Sequence, residues 1–241
     1  MSFHAAKQTG APQKRRAPVL DPGAYPARLV GLITLGLQAQ RPYQGQEKPP
    51  ATELMTTYEL VDEFMPDDDG NPDEEKPRWL SETFVFHNLS ADKAISTKRY
   101  IALDPEQKFG GDWSQLLGTA VNVSVAVRDG KGQHLGKKFE NITGTSPMRP
   151  KEAAKLPDLV NPPRVFDFYA PTEDGFFSLP EWLQDKMKAA LDYEGSDLEA
   201  IVKAHIAKGG DDGPPKKEDE KPKKEREKAP KDEDEDDEIP W

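Results

Sequence analysis

Cysteine is missing from all 241 residues. That excludes disulfides, thiolate metal sites and a cysteine nucleophile, and it fits a reducing cytoplasm. Histidine is scarce. The four (His4, His87, His134, His205) are scattered, so no zinc site is expected. No apolar run approaches the ~20 residues that a membrane span needs. Met1 to Arg16 lacks the apolar stretch of a signal peptide. Hydrophobic residues make up only 35% of the chain against 32% charged, so part of it is expected to stay unfolded. The length leaves room for one ordinary domain with appendages.

Acid is abundant, and it is segregated. The net charge is −11. From Gly209 to Trp241 there are 14 acids and 8 bases, which gives −6 and leaves −5 for the rest. Asp62 to Glu75 alone holds eight acids and no base, whereas the first twenty residues carry Lys7, Lys14, Arg15 and Arg16 and no acid. Local fields therefore matter more than the total, and the total argues against loose, charge-driven duplex binding. The chain ends in seven consecutive carboxylates followed by Ile239, Pro240 and Trp241. A solubility tail gains nothing from an apolar tip. Asp236, Asp237, Glu238, Ile239, Pro240 and Trp241 read as bait for a partner pocket with an apolar floor and a basic rim.

Between these ends the pattern is mainly β. Tyr25, Ala27, Leu29, Gly31, Ile33 and Leu35 alternate in a long first strand, with Gly31 or Gly36 as its bend. Glu53 to Phe64 is a second strand, the acidic segment closes a hairpin, and Arg78 to Asn88 is a third. Ser90 is a candidate cap for a helix reaching Leu103, where Pro105 stops it. Asp112 caps a short helix at Trp113 to Leu117. Val121, Val123, Val125 and Val127 alternate in a fourth strand, and Leu135 to Thr143 is the last. Its parity is ambiguous, because Phe139 and Ile142 cannot both face inward without a bulge.

Three strands, a helical connection and two strands is the pattern of an OB-fold, a five-stranded Greek-key barrel. A β-sandwich would show seven or more strands. The expected organisation is a flexible basic arm (1–20), the barrel (21–148), a helical C-terminal extension (149–208) and a disordered acidic tail (209–241). In the extension, Leu179 to Leu191 is helical with Trp182, Met187 and Leu191 as anchors. Ser196 and Glu199 form a capping box. The extension is too short for a core of its own, so it packs on the barrel or on another copy of the chain.

Enzyme signatures fail. Asp67, Asp69 and Asn71 imitate a calcium loop, but Pro72 stands where that loop needs glycine. Gly130, Gly132 and Gly136 join two strands, so they form no phosphate-binding loop before a helix. No nucleophile triad has a local signature, and no cofactor or metal is expected. Single-strand binding, in contrast, needs cations along phosphates and flat rings on which bases stack at ~1–3 kcal/mol each. The loop between the first and second strands offers Arg41, Tyr43 and Lys48. Arg78 and Trp79 open the third strand. Lys98, Arg99 and Tyr100 form a further cluster, and Arg128, Lys131, Lys137 and Lys138 load the last hairpin. Trp79, Phe84, Phe86, Trp113 and Phe139 belong to types that more often fill cores. Lys98 and Arg99 equally suit the wet side of a helix.

Pro22-Gly-Ala-Tyr-Pro-Ala-Arg28, Arg41-Pro-Tyr-Gln-Gly-Gln-Glu-Lys-Pro-Pro50 and Tyr58-Glu-Leu-Val-Asp-Glu63 resemble the single-stranded DNA-binding proteins of tailed bacteriophages. Arg99-Tyr-Ile-Ala-Leu-Asp104 and Leu179-Pro-Glu-Trp-Leu-Gln184 add to the likeness, which covers roughly Pro22 to Lys208. The tail is similar to that of bacterial single-stranded DNA-binding proteins, which end in acids and Ile-Pro-Phe; here the last residue is Trp241. The resemblance implies an OB barrel that coats single strands in phage replication and recombination, in the cytoplasm of the infected host. It also implies a tail that recruits a polymerase, helicase, primase or recombinase. The rival from another class is an acidic interaction hub or DNA-mimicking chaperone, and a weaker rival is a metal-dependent nuclease.

Overall fold

The structure, a computed structural model, describes residues 17–209. Lys7, Lys14, Arg15 and Arg16 of the basic arm, and the acidic tail with its Ile-Pro-Trp tip, lie outside the described residues.

The fold is mainly β. Six strands form one sheet: β1 (Gly23–Gln38), β2 (Ala51–Pro66), β3 (Pro72–Val85), β4 (Ala120–Asp129), β5 (Lys138–Pro147) and β6 (Arg164–Phe166). The order is β3-β2-β1-β4-β5, every neighbour antiparallel, with β6 parallel on β1. The helices are α1 (Ile95–Leu103), α2 (Pro150–Ala153), α3 (Glu173–Phe177), α4 (Glu181–Lys188) and α5 (Asp197–Ala207).

Alternation decides what is buried. Ala27 and Leu29, Tyr58 and Leu60, Leu80 and Phe84, and Val121, Val123 and Val125 meet on the inner face. Tyr100 and Leu103 from α1 close that core together with Trp113, whose ring meets Tyr100 edge-on at 5.6 Å. Burying each such side chain contributes about 1.5–3 kcal/mol. No ladder joins β3 to β5. Instead α1 packs against both strands, and Leu20 is buried beside Glu140, whose carboxylate accepts its N–H at 2.6 Å.

A second core lies on the opposite face. β4 pairs only with Gly23 to Arg28 of β1, and β6 takes the same edge from Gly31 to Ile33. Outward-facing Ile33, Leu35 and Met55 then pack on Phe166, Phe168, Phe176, Leu183, Met187 and Leu198. Gly36 makes the docking possible. Its φ is +74°, and a Cβ there would sit 2.9 Å from Ala190, Asp192 and Phe168. Asp192 in turn accepts the Leu37 N–H at 2.8 Å.

Several sequence expectations need correction. The helix expected from Ser90 begins at Ile95, because the Asn88 side chain captures the Ser90 N–H and hydroxyl in a local turn. The last strand begins at Lys138 rather than Leu135; a 3-10 turn at Gly132–His134 lengthens the connection. Ile142 pairs with Val125 but Gly144 pairs with Ser124, so Thr143 is an extra residue. Phe139 and Ile142 lie on the regular stretch before that bulge and so face opposite sides: Ile142 packs on the core and Phe139 turns outward opposite Arg128. Trp182 and Leu191 are exposed rather than anchoring; Leu183, Met187 and Ala190 are buried instead. Ser196 does accept the Glu199 N–H, but the Glu199 carboxylate accepts from Gly195 instead of Ser196. Among the described residues no helix is long and apolar enough to cross a membrane.

Candidate nucleic-acid interface

The loop between β1 and β2 is polar and open because nothing in it alternates. Within it Tyr43 and Gln46 exchange both backbone hydrogen bonds at 2.9 Å. Gln44 and Gly45 between them take left-handed φ values of 50° and 73°, the geometry of a two-residue hairpin turn. The turn presents Tyr43, 46% exposed, with the Lys48 ammonium 4.6 Å from its ring centre. Such a contact stabilises a wet pair by about 0.5–1 kcal/mol and holds the ring in place. Arg41 and Lys48 are exposed. At the base of the loop, Gln40 and Lys186 of α4 both reach the Glu53 carboxylate, at 3.3 and 2.6 Å. The loop stem is thereby fastened to the C-terminal helices.

The loop between β4 and β5 is the second exposed basic element. Arg128, Lys131, Lys137 and Lys138 are all exposed, with Asp129 as the one acid from 128 to 139. It also carries apolar groups that sequence reasoning did not place at the surface. Phe139 is 43% exposed and meets His134 edge-on at 5.6 Å, while Leu135 at the tip is 83% exposed. The signal was present in the parity conflict with Ile142, since one of the two had to point outward.

The two loops lie at opposite ends of β1. Gly23 pairs with Val125, just before the β4–β5 loop, and Gln38 pairs with Ala51, just after the β1–β2 loop.

The structure removes other candidates from this surface. Arg78 is buried and donates through Nη2 to both Glu140 oxygens at 2.6 and 2.8 Å, and through Nη1 to the Pro18 carbonyl. It ties β3 to β5 and is turned inward, with its side chain only 9% exposed. Arg99 is buried and bidentate on Glu82, at 2.7 and 2.9 Å. Tyr100 is fully buried, its hydroxyl donating to Asp104 and accepting the Gly111 N–H. Burial raises that phenol's pKa. Trp79 is half-buried on the outer face, donating to Glu59 at 2.9 Å beneath the Arg164 guanidinium. Lys98 stays exposed on α1.

Glu59 is a buried carboxylate that sequence reasoning did not single out. Besides Trp79 it accepts the Val160 N–H and the Asn161 amide, each at 2.8 Å. Arg28 donates to the carbonyls of Leu156 and Pro157. The chain from 156 to 164 is thus strapped over the outer face of β1, β2 and the start of β3. The tip of the β2–β3 hairpin is acidic and self-satisfied: Asp67 accepts the N–H groups of Asp69, Gly70 and Asn71, which hold its carboxyl below the usual range. Among the described residues no three His, Asp or Glu side chains converge as a metal site requires.

Comparison of the chain with protein-family models, with curated proteins and with solved structures finds no match.

Proposed function

We propose that the chain is an OB-fold protein that binds single-stranded DNA with little sequence preference. The observation that carries this reading is the pair of exposed loops, each combining cations with an aromatic ring, on a barrel-like sheet. Tyr43 with Arg41 and Lys48, and Phe139 with Arg128 and Lys137, supply what single strands require: charge for phosphates and rings for bases. The strand order supports the fold. β3-β2-β1-β4-β5 with a helix between β3 and β4 is the circuit of such a barrel, closed at the β3–β5 seam by Arg78 and Glu140.

The acid-rich total suits this role, because cations gathered in two loops act locally while the rest repels bulk duplex. The likeness to tailed-phage single-stranded DNA-binding proteins extends the proposal to coating strands in replication and recombination. Recruitment of replication proteins by the tail rests on its sequence alone.

The test is a titration with fluorescent oligonucleotides of several lengths, single- and double-stranded, at several salt concentrations. Single strands should bind more tightly than duplex, with a salt slope near −0.7 per phosphate neutralised. Equal affinity for the two forms would sink the reading in favour of an acidic interaction protein.

A further inference from the structure

Resting on that reading, we infer that the bound strand runs along the outer face of β4 and β5, rather than across β2 and β3. The β2–β3 face is the one associated with OB barrels. Here much of the outer face beside it is occupied by the protein itself. The strap at 156–164 is held by Glu59 and Arg28 and lies against Trp79, and the helices of the extension cover Ile33 and Met55. The next turn along, at Asp67, is acidic.

The outer face of β4 and β5 is different. Its outward positions, in paired register, are Arg128 with Phe139, Ala126 with Asn141, Ser124 with Gly144, and Asn122 with Ser146. None is acidic. The residues are small or polar except for Phe139, so the surface is flat, and it bears no carboxylate to repel phosphate. Cations bound it at both ends: Arg128, Lys137 and Lys138 at the loop, Lys151 and Arg149 just past Pro147, the last 4.0 Å from Glu152. The ten residues of β5 span about 34 Å at 3.4 Å each. This is a track for several nucleotides, with Phe139 as a stacking platform set between His134 and Arg128. Charge complementarity favours a polyanion here over an apolar protein partner.

Five variants of the full chain test it, each checked for an unchanged melting temperature. Phe139→Ala should weaken binding of a fluorescent single strand roughly 5- to 150-fold, as the loss of one stacked base does. Asn141→Glu and Ser146→Glu, at the two ends of the face, should each weaken it about tenfold at low salt. Thr83→Glu, exposed on β3, should leave it unchanged. In Phe139→Trp, added fluorescence should be quenched by the oligonucleotide. If Thr83→Glu weakens binding while the β5 variants and Phe139→Ala do not, the strand lies over β3 and the inference is overturned, although single-strand binding stands. Unchanged affinity in Phe139→Ala and in all three glutamate variants, without quenching in Phe139→Trp, also overturns it. Failure of the parent to prefer single strands defeats the underlying reading instead.

Discussion

Arg78 separates a structural cation from a binding one. Both it and Glu140 are largely shielded, with side chains 9% and 16% exposed, and the pair makes two charge-assisted contacts. Arg78→Ala removes those contacts and the bond to the Pro18 carbonyl. It leaves the Glu140 carboxylate with the Leu20 N–H as its remaining bond from the pair's surroundings. Breaking a buried pair from one side costs about 3–5 kcal/mol, because the surviving charge stays desolvated. For a domain of this size each kcal/mol moves the melting temperature about 2–4 °C, so a fall of roughly 6–20 °C is expected. Replacing both partners, as in Arg78→Met with Glu140→Leu, should recover most of that loss, since no charge is then stranded. The assay is thermal unfolding of the parent, the single variant and the double variant, together with oligonucleotide affinity per folded molecule at a temperature where all are folded. Affinity should not change. A single variant that melts within a degree of the parent but binds single strands more weakly would refute the reasoning and return Arg78 to the phosphate contacts.

Tyr43→Ala should weaken single-strand binding by about 1–3 kcal/mol in an anisotropy titration, with melting nearly unchanged because the ring is exposed. Leu183→Ala should lower the urea unfolding free energy by about 2–5 kcal/mol, whereas Trp182→Ala, one position away and 56% exposed, should lower it far less. Asp104 gives a pH test. Burial pushes its carboxyl up, but the N–H groups of Phe109 and Lys108 and the Tyr100 hydroxyl outweigh that and hold it below the ordinary range. The stability this brings is present in full above the unfolded carboxyl's pKa and is lost as pH falls through the lower folded value. Urea midpoints measured from neutrality down into that window should therefore fall less steeply in Asp104→Asn than in the parent.

Strands whose residues alternate were legible, because burial on one face leaves a period of two in the sequence. Val121 to Val127 is the clearest case. β6 and α3 were not, since three and five residues are too few to show any period. The exposed loop with Tyr43 was legible for the opposite reason, a ring among polar residues with no apolar period around it. Arg78, Arg99 and Tyr100 misled because a basic-aromatic cluster looks the same whether it faces water or carboxylates. The acids that neutralise the two arginines, Glu140 and Glu82, lie 62 and 17 residues away. Trp182 misled through its size. On α4 the buried stripe of Leu183 and Met187 is narrow, and the tryptophan stands at its flank.

β1 and β2 serve two cores at once, one on each side of the same pair of strands. Tyr58 and Leu60 look into one interior, while Ile33 and Met55 look into the other. The consequence is thermodynamic linkage. Any opening of the C-terminal helices strips cover from strands that the first core depends on, and any fraying of β1 withdraws the floor on which those helices rest. The molecule should therefore melt in a single cooperative transition, with the slowest-exchanging amides concentrated in the shared strands. A chain cut after β5 would not be a smaller version of the same fold. It would be a sheet with Ile33, Leu35 and Met55 turned to water, an apolar stripe inviting self-association.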